Sequence, residues 1–230
     1  MIAANGARFG GRVALVVGAS RGLGRSIARM LGAGGAEVIA MARTSGALEE
    51  LDDEIRALGG ASATLVPADI TDDPALERLG MAIHQRWGRL DVLVNCAVQG
   101  PPLSPTEHGD IKDLDKALAV NARAQQRLIR CMDPLLRAAP HGVAVLLEDK
   151  VNVGRFHSPY QASKAAGAAF AAAWADETSG IALTVLRPCP PAMPTGLRAR
   201  FRPGEDRAPL AHPDEVAGGI VDAIAAALRG

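Results

Sequence analysis

Ring side chains are scarce in this chain: four Phe, two Trp and a single Tyr amount to 3% of it. A protein so poor in aromatics offers no stacking platform for bases, which argues against single-stranded nucleic acid as a ligand. An excess of one charge is also missing. Lys plus Arg and Asp plus Glu both number 25, so the formal charge is zero, and nothing draws the chain to a phosphate backbone or an anionic membrane. Cysteine is limited to Cys96, Cys131 and Cys189, odd in number and widely spaced. That excludes a disulfide frame, gives no metal-ligand spacing, and suits a reduced, cytoplasmic setting. No apolar run is long enough to span a bilayer. The opening "MIAANGARFGGR" lacks the basic start and apolar core of a signal peptide. Repeats, low-complexity tracts and linkers are absent, so residues 1–230 are read as one domain.

What is present is a strong alternation of two patterns. "RVALVVGA", "AEVIAMA", "SATLVPA", "LDVLVNCA", "GVAVLLE" and "IALTVLRP" are short apolar runs, read as six buried strands. Between them lie segments of helical spacing. "GRSIARMLGAGG" ends on glycines, "GALEELDDEIRALGG" sets Leu48, Leu51, Ile55 and Leu58 on one face, and "DPALERLGMAIHQRWG" has Pro74 in its first turn. One long helix is expected over residues 110–138, another over "PYQASKAAGAAFAAAWADETS", and a last one from Pro213 to residue 228. Such an order implies a mostly parallel sheet with helices on both faces, in three αβα layers. "PCPPAMPTGLRARFRPGEDRAP" is Pro-rich and is read as an irregular loop over a site. The abundance of Ala, Gly and Arg points to a bacterial origin by composition alone.

The first apolar run leads into "GASRGLG", with Gly18, Gly22 and Gly24. Glycines at a strand-to-helix turn let backbone approach a pyrophosphate, which the helix N-terminus then attracts. Ordinary turn chemistry gives glycines too, so the loop gains its meaning from its place at the first such turn. The second strand ends in Ala42 and Arg43, without the carboxylate that would bind ribose hydroxyls and repel a 2′-phosphate. With Arg21 in the glycine loop, two guanidinium groups favour a 2′-phosphate. Tyr160 and Lys164 stand four residues apart at a helix start and share a face. An ammonium there is expected to favour the phenolate, so that the tyrosine gives or takes a proton.

In "GRVALVVGASRGLGRSIA", "ADITD", "LDVLVN", "VNA" and "YQASK", in that order, the chain resembles the short-chain dehydrogenase/reductase family, classical type. The resemblance covers nearly the whole chain. It implies a Rossmann-type doubly wound sheet and a nicotinamide cofactor, which the two arginines narrow to NADP(H). In the glycine loop it assigns cofactor contacts to Gly18, Ser20, Arg21, Gly22, Leu23 and Gly24. Further along it assigns them to Arg43, Asp69, Ile70, Asn95, Lys164 and Pro188. Tyr160 becomes the acid/base, Lys164 its tuner, and Asn121 the support of a water connected to the lysine.

One piece of the family pattern is missing. A serine normally stands at the end of the fifth strand and orients the substrate carbonyl. The usual spacing, counted back from Tyr160, falls on Leu147, and one loop deletion moves it to Glu148. No serine occurs between Ser104 and Ser158. Leucine cannot hydrogen-bond; Glu148 can accept a proton, bind a cation, or be only a solvated loop acid beside Asp149 and Lys150. His157 and Ser158 are other hydroxyl or ring donors nearby in sequence. Cys96, Val98 and Cys189 also replace family residues around the same cleft, and Thr195 falls near the family's threonine.

Three readings follow: an NADP(H)-dependent oxidoreductase acting on a small-molecule carbonyl or alcohol with an altered site; a cyclase, dehydratase or isomerase on the same scaffold; or an inactive nucleotide-binding protein. The chain stops after its last helix, without the final strand that the family uses in one tetramer interface, so a homodimer through the long helices is expected.

Overall fold

The computed structural model describes residues 8–230, and residues 1–7 of the opening stretch read for a leader lie outside it. Six strands, β1 (Val13–Val17), β2 (Glu37–Ala42), β3 (Thr64–Pro67), β4 (Val92–Asn95), β5 (Gly142–Leu146) and β6 (Leu183–Leu186), form one sheet. Their order is β3-β2-β1-β4-β5-β6 and every pairing is parallel. The order reverses between β1 and β4, and in such a sheet the crevice at the strands' carboxyl ends is the natural ligand site.

The strands read as continuous apolar runs because both faces are covered. Ala14 and Val16 of β1 pack toward α1 (Gly22–Ala33), α2 (Ser45–Ala57) and α8 (Pro213–Ala227), through Ile27, Leu51 and Ile224. Val13, Leu15 and Val17 pack the other way, toward α3 (Asp73–Trp87), α5 (Ala124–Arg137) and α6 (Ser158–Glu177), through Ile83, Leu128 and Trp174. The three layers expected from the sequence are therefore those observed.

The amino-terminal end of the sheet is clamped by Asp91, which is fully buried. Its carboxylate accepts from the Val13 N–H at 2.9 Å, Arg12 Nη1 at 2.8 Å and Arg89 Nε at 3.2 Å. A buried charge is tolerated here because two guanidinium groups and a main-chain N–H donate to it.

Three local expectations need correction. Leu58 does not share the buried face of Leu48, Leu51 and Ile55; it is the residue that ends α2 and stands 44% exposed. The helix expected over 110–138 is α4 (Ile111–Leu118), a π-helical turn at Ala119–Arg123, and then α5. The wide turn carries Asn121, whose carbonyl packs so closely on Gly167 of α6 that a Cβ there would lie 2.3 Å away. The Pro-rich stretch also holds a short helix, α7 (Gly196–Phe201), capped by the Thr195 hydroxyl accepting from the Arg198 N–H.

Candidate active site

A cleft of about 440 Å³ opens across the carboxyl ends of the strands, from the β1–α1 loop to Tyr160. Its nucleotide-side wall is mostly backbone. Gly18 has φ +79°, and a Cβ on it would meet the Ala97 N at 2.7 Å. A Cβ on Gly24 would lie 2.3 Å from the Gly18 carbonyl oxygen. Only hydrogen side chains fit this crossing. Arg21 occupies the N-cap of α1, and no side chain caps the helix there. The first N–H groups are thus left for an anion, which the helix end also attracts. Ser20, Arg21, Gly22 and Leu23 all border the cleft.

The next wall comes from β2, β3 and β4. Arg43 is largely exposed, with its nearest carboxylate, Asp69, at 3.9 Å. Asp69 accepts from Thr71 N–H and Oγ1 at 2.9 and 2.8 Å. Burial pushes its carboxyl up, but the Thr71 bonds and Arg43 outweigh that and hold it below the usual range. Ile70 and Asn95 border the same space. The Asn95 side chain accepts from the Ala97 N–H and donates to Gln125, which fixes the turn after β4. Pro188 does not border the cleft; its carbonyl accepts from the Glu148 N–H at 2.9 Å, and Pro190 to Met193 form the wall instead. The loop before α7 then reaches back over the glycines, where a Cβ on Gly22 would stand 3.5 Å from the Thr195 methyl.

The chemical end is built by β5 and α6. Lys164 Nζ donates to the Leu147 carbonyl at 2.7 Å, and burial lowers its pKa despite the neighbouring Asp149 charge. Asn121 is buried, accepting from the Gln99 N–H and donating to the Gln99 carbonyl and Ser163 Oγ. Its side chain thereby pins the loop that faces Tyr160, while its main chain forms the π turn.

Glu148, the first candidate for the missing hydroxyl, turns away from the tyrosine. Its carboxylate accepts from Arg187 Nε at 2.7 Å. The group on the tyrosine is Asp149, whose Oδ2 accepts from Tyr160 Oη at 2.6 Å. Counting back from Tyr160 missed it because Asp149 lies two residues past Leu147, the position that the usual spacing gives. The signal available was turn chemistry: Asp149 Oδ1 accepts from the Val151 and Asn152 N–H groups, both at 2.9 Å, an Asx-type turn that a strand-end aspartate favours.

This contact reverses the electrostatic expectation for Tyr160. Burial first, then the Asp149 charge and hydrogen bond, push the phenol far above its ordinary value. For Asp149, burial pushes up, but the bonds from Tyr160, Asn152 and Val151 prevail and leave it below the usual carboxylate range. A lone ammonium would have favoured the phenolate; a fourfold-bonded carboxylate favours the phenol.

Beyond the tyrosine, α7 closes the substrate side. The Phe201 ring meets Tyr160 edge-on at 4.9 Å and His157 at 5.0 Å. Arg198 holds α7 down, pairing with both Glu205 oxygens and donating to Asn152 Oδ1 at 3.0 Å. Among the described residues no group of His, Cys, Asp and Glu is placed to hold a metal ion, and no helix is long and apolar enough to cross a membrane.

The glycine crossing, the switch point and the Tyr-Lys helix together define a Rossmann-type enzyme fold. The family model described as short chain dehydrogenase matches residues 12–206. The chain is similar to a fatty acyl-CoA reductase of Acinetobacter baylyi, 34% identical over 164 residues, which covers 70% of this chain and 55% of that protein. It is similar to an L-fucose dehydrogenase of Oryctolagus cuniculus, 31% identical over 188 residues, which covers 80% of this chain and 64% of that protein. A metagenomic short-chain oxidoreductase solved with NADP superposes with a TM-score of 0.83 at 29% identity, covering 97% of this chain and 95% of that one. This chain belongs to the short chain dehydrogenase family. It spans less than two thirds of the length of these two curated relatives, at 55% and 64%.

Proposed function

We propose that this protein is an NADP(H)-dependent oxidoreductase that interconverts an alcohol and a carbonyl on a small molecule. The observation that carries the reading is the continuity of one cleft, from the uncapped glycine turn of α1 to Tyr160 and Lys164. The residues fit the cofactor: a crossing that any Cβ would fill lies under the pyrophosphate position, and free N–H groups face it. When bound, the nicotinamide would supply or accept a hydride. Arg21 and Arg43 would hold the 2′-phosphate, and β2 ends without a carboxylate to oppose it. The similar oxidoreductase solved with NADP supports this choice. Tyr160 would stand at the reacting oxygen, Asn121 would hold the loop facing it, and Lys164 would bring positive charge to the same end. The two similar curated proteins are named for a fatty acyl-CoA and for a sugar, so the substrate is left at the level of alcohol and carbonyl.

Calorimetry with NADPH, NADP, NADH and NAD tests the reading. Tight NADP(H) and weak NAD(H) binding is expected, with Arg43→Ala losing about tenfold for NADPH and little for NADH, the worth of one charged hydrogen bond. Absence of binding by all four nucleotides overturns it. We also take the protein to be a cytoplasmic homodimer. Half-exposed Phe170, beside Leu118 and Ala122, offers a shared apolar face, and sedimentation and cell fractionation check this.

A further inference from the structure

Resting on that reading, we propose that Asp149 is a proton-accepting residue that acts through Tyr160 when an alcohol is oxidised. The geometry carries the assignment. Tyr160 donates its only proton to Asp149 Oδ2 at 2.6 Å, so its oxygen presents lone pairs, and no proton, to the cleft. Such an oxygen can accept from an alcohol but cannot donate to a carbonyl. Asp149 itself is held in place by three further donors: the Val151 and Asn152 N–H groups and Asn152 Nδ2 at 2.8 Å. Asn152 is in turn held by Arg198 of α7. A chain of hydrogen bonds thus runs from Tyr160 to α7, and the carboxylate is its fixed centre.

The step balances as follows. The alcohol's carbon-bound hydrogen would leave as hydride, which the oxidised nicotinamide would accept when bound. The alcohol's O–H proton passes to Tyr160 Oη as Tyr160's own proton passes to Asp149 Oδ2. The step would leave a carbonyl, the hydride on the nicotinamide, and a protonated Asp149 that would then lose its proton to water. Tyr160 stays a neutral phenol throughout. Carbonyl reduction by the same path starts from protonated Asp149, which is rare at neutral pH. The charged and titratable groups facing Asp149 are Tyr160 and Lys164 from α6 and Arg198 from α7. On its own loop Glu148 is turned to Arg187. Lys164 and Arg198 stabilise the ionised carboxylate. The oxidation rate therefore falls only as pH drops through the lowered Asp149 value, while reduction grows in the same direction.

Tyr160 is the only tyrosine of the chain, so tyrosinate absorbance reports on it alone. Alkaline titration of the NADP-bound protein and of the apoprotein, with circular dichroism to certify folding, reads the contact without turnover. In the wild type the tyrosinate is expected only where the protein unfolds. In Asp149→Asn it appears about 1–3 pH units lower in folded protein, the usual effect of removing a like charge. Asp149→Ser is the second variant should the first not fold, and Asp149→Glu is expected to restore the wild-type curve. Overlapping titrations of folded wild type and either neutral variant overturn the relay. Where an alcohol is turned over, Asp149→Ser is expected to lose about 100-fold at neutral pH in oxidation and, by the fixed equilibrium, in the reverse reaction, and to lose the pH dependence that Asp149 sets. A loss of rate with an unchanged pH profile also overturns the relay. Failure of all nucleotide binding in calorimetry overturns the redox reading instead, so the two failures are told apart.

Discussion

The two ends of the cleft are built from different materials. The nucleotide end, from β1 to β4, is a crossing of main chain: glycines in contact with carbonyls and amides, and a helix start left open. The substrate end, from Leu147 to α7, is a network of side chains: Asp149, Asn152, Arg198 and Glu205 joined by hydrogen bonds. Backbone crossings tolerate no added atom, which is why Gly18 and Gly24 stand there. Side-chain networks can be rewired one residue at a time while the strands beneath stay packed, and here a carboxylate, Asp149, accepts from the tyrosine.

Substitutions can break that comparison at either end. The largest effect is expected from Tyr160→Phe, which removes the proton path at the substrate end. Turnover should fall by about 100- to 10,000-fold while NADPH affinity by calorimetry stays unchanged. A parallel loss of affinity would mean that the ends are not separable. Next is Gly24→Ala, whose added methyl would lie 2.3 Å from the Gly18 carbonyl. Denaturant unfolding should show about 1–3 kcal/mol of destabilisation, with nucleotide binding lost. Wild-type affinity in that variant would show that the crossing is looser than described. The smallest effect is expected from Arg198→Ala, which frees α7 from Glu205 and Asn152. The Arg198–Glu205 pair is open to solvent, so little stability is expected to be lost with it. Hydrogen exchange should quicken over residues 196–205 and leave the glycine turn untouched.

Legibility followed the same division. The strands were readable because parallel strands covered on both faces leave unbroken apolar runs, and the glycine turn because few sequences need that crossing. The break in the long helix was hidden, since the π turn at Asn121 depends on how closely its carbonyl meets Gly167, a contact between distant residues. Helix α7 was hidden by the prolines that flank it, although Thr195 is an ordinary cap for it. Asp149 was hidden by arithmetic: counting back from Tyr160 by a fixed spacing stops at Leu147 and does not reach it. Glu148 and Asp149 are adjacent acids with opposite fates, one paired with Arg187 and the other with Tyr160. Composition cannot separate them; the direction in which the chain leaves β5 does.

Asp91 gives the far end of the sheet a meaning of its own. Its carboxylate joins Val13 to the two flanking arginines, while its backbone bonds both Val13 and Val143. The strands β1, β4 and β5 are therefore stitched together at the end opposite the chemistry. The molecule resembles a brush bound tightly at the handle: the bristle tips can be recut for a new substrate, because alignment is set where no substrate reaches.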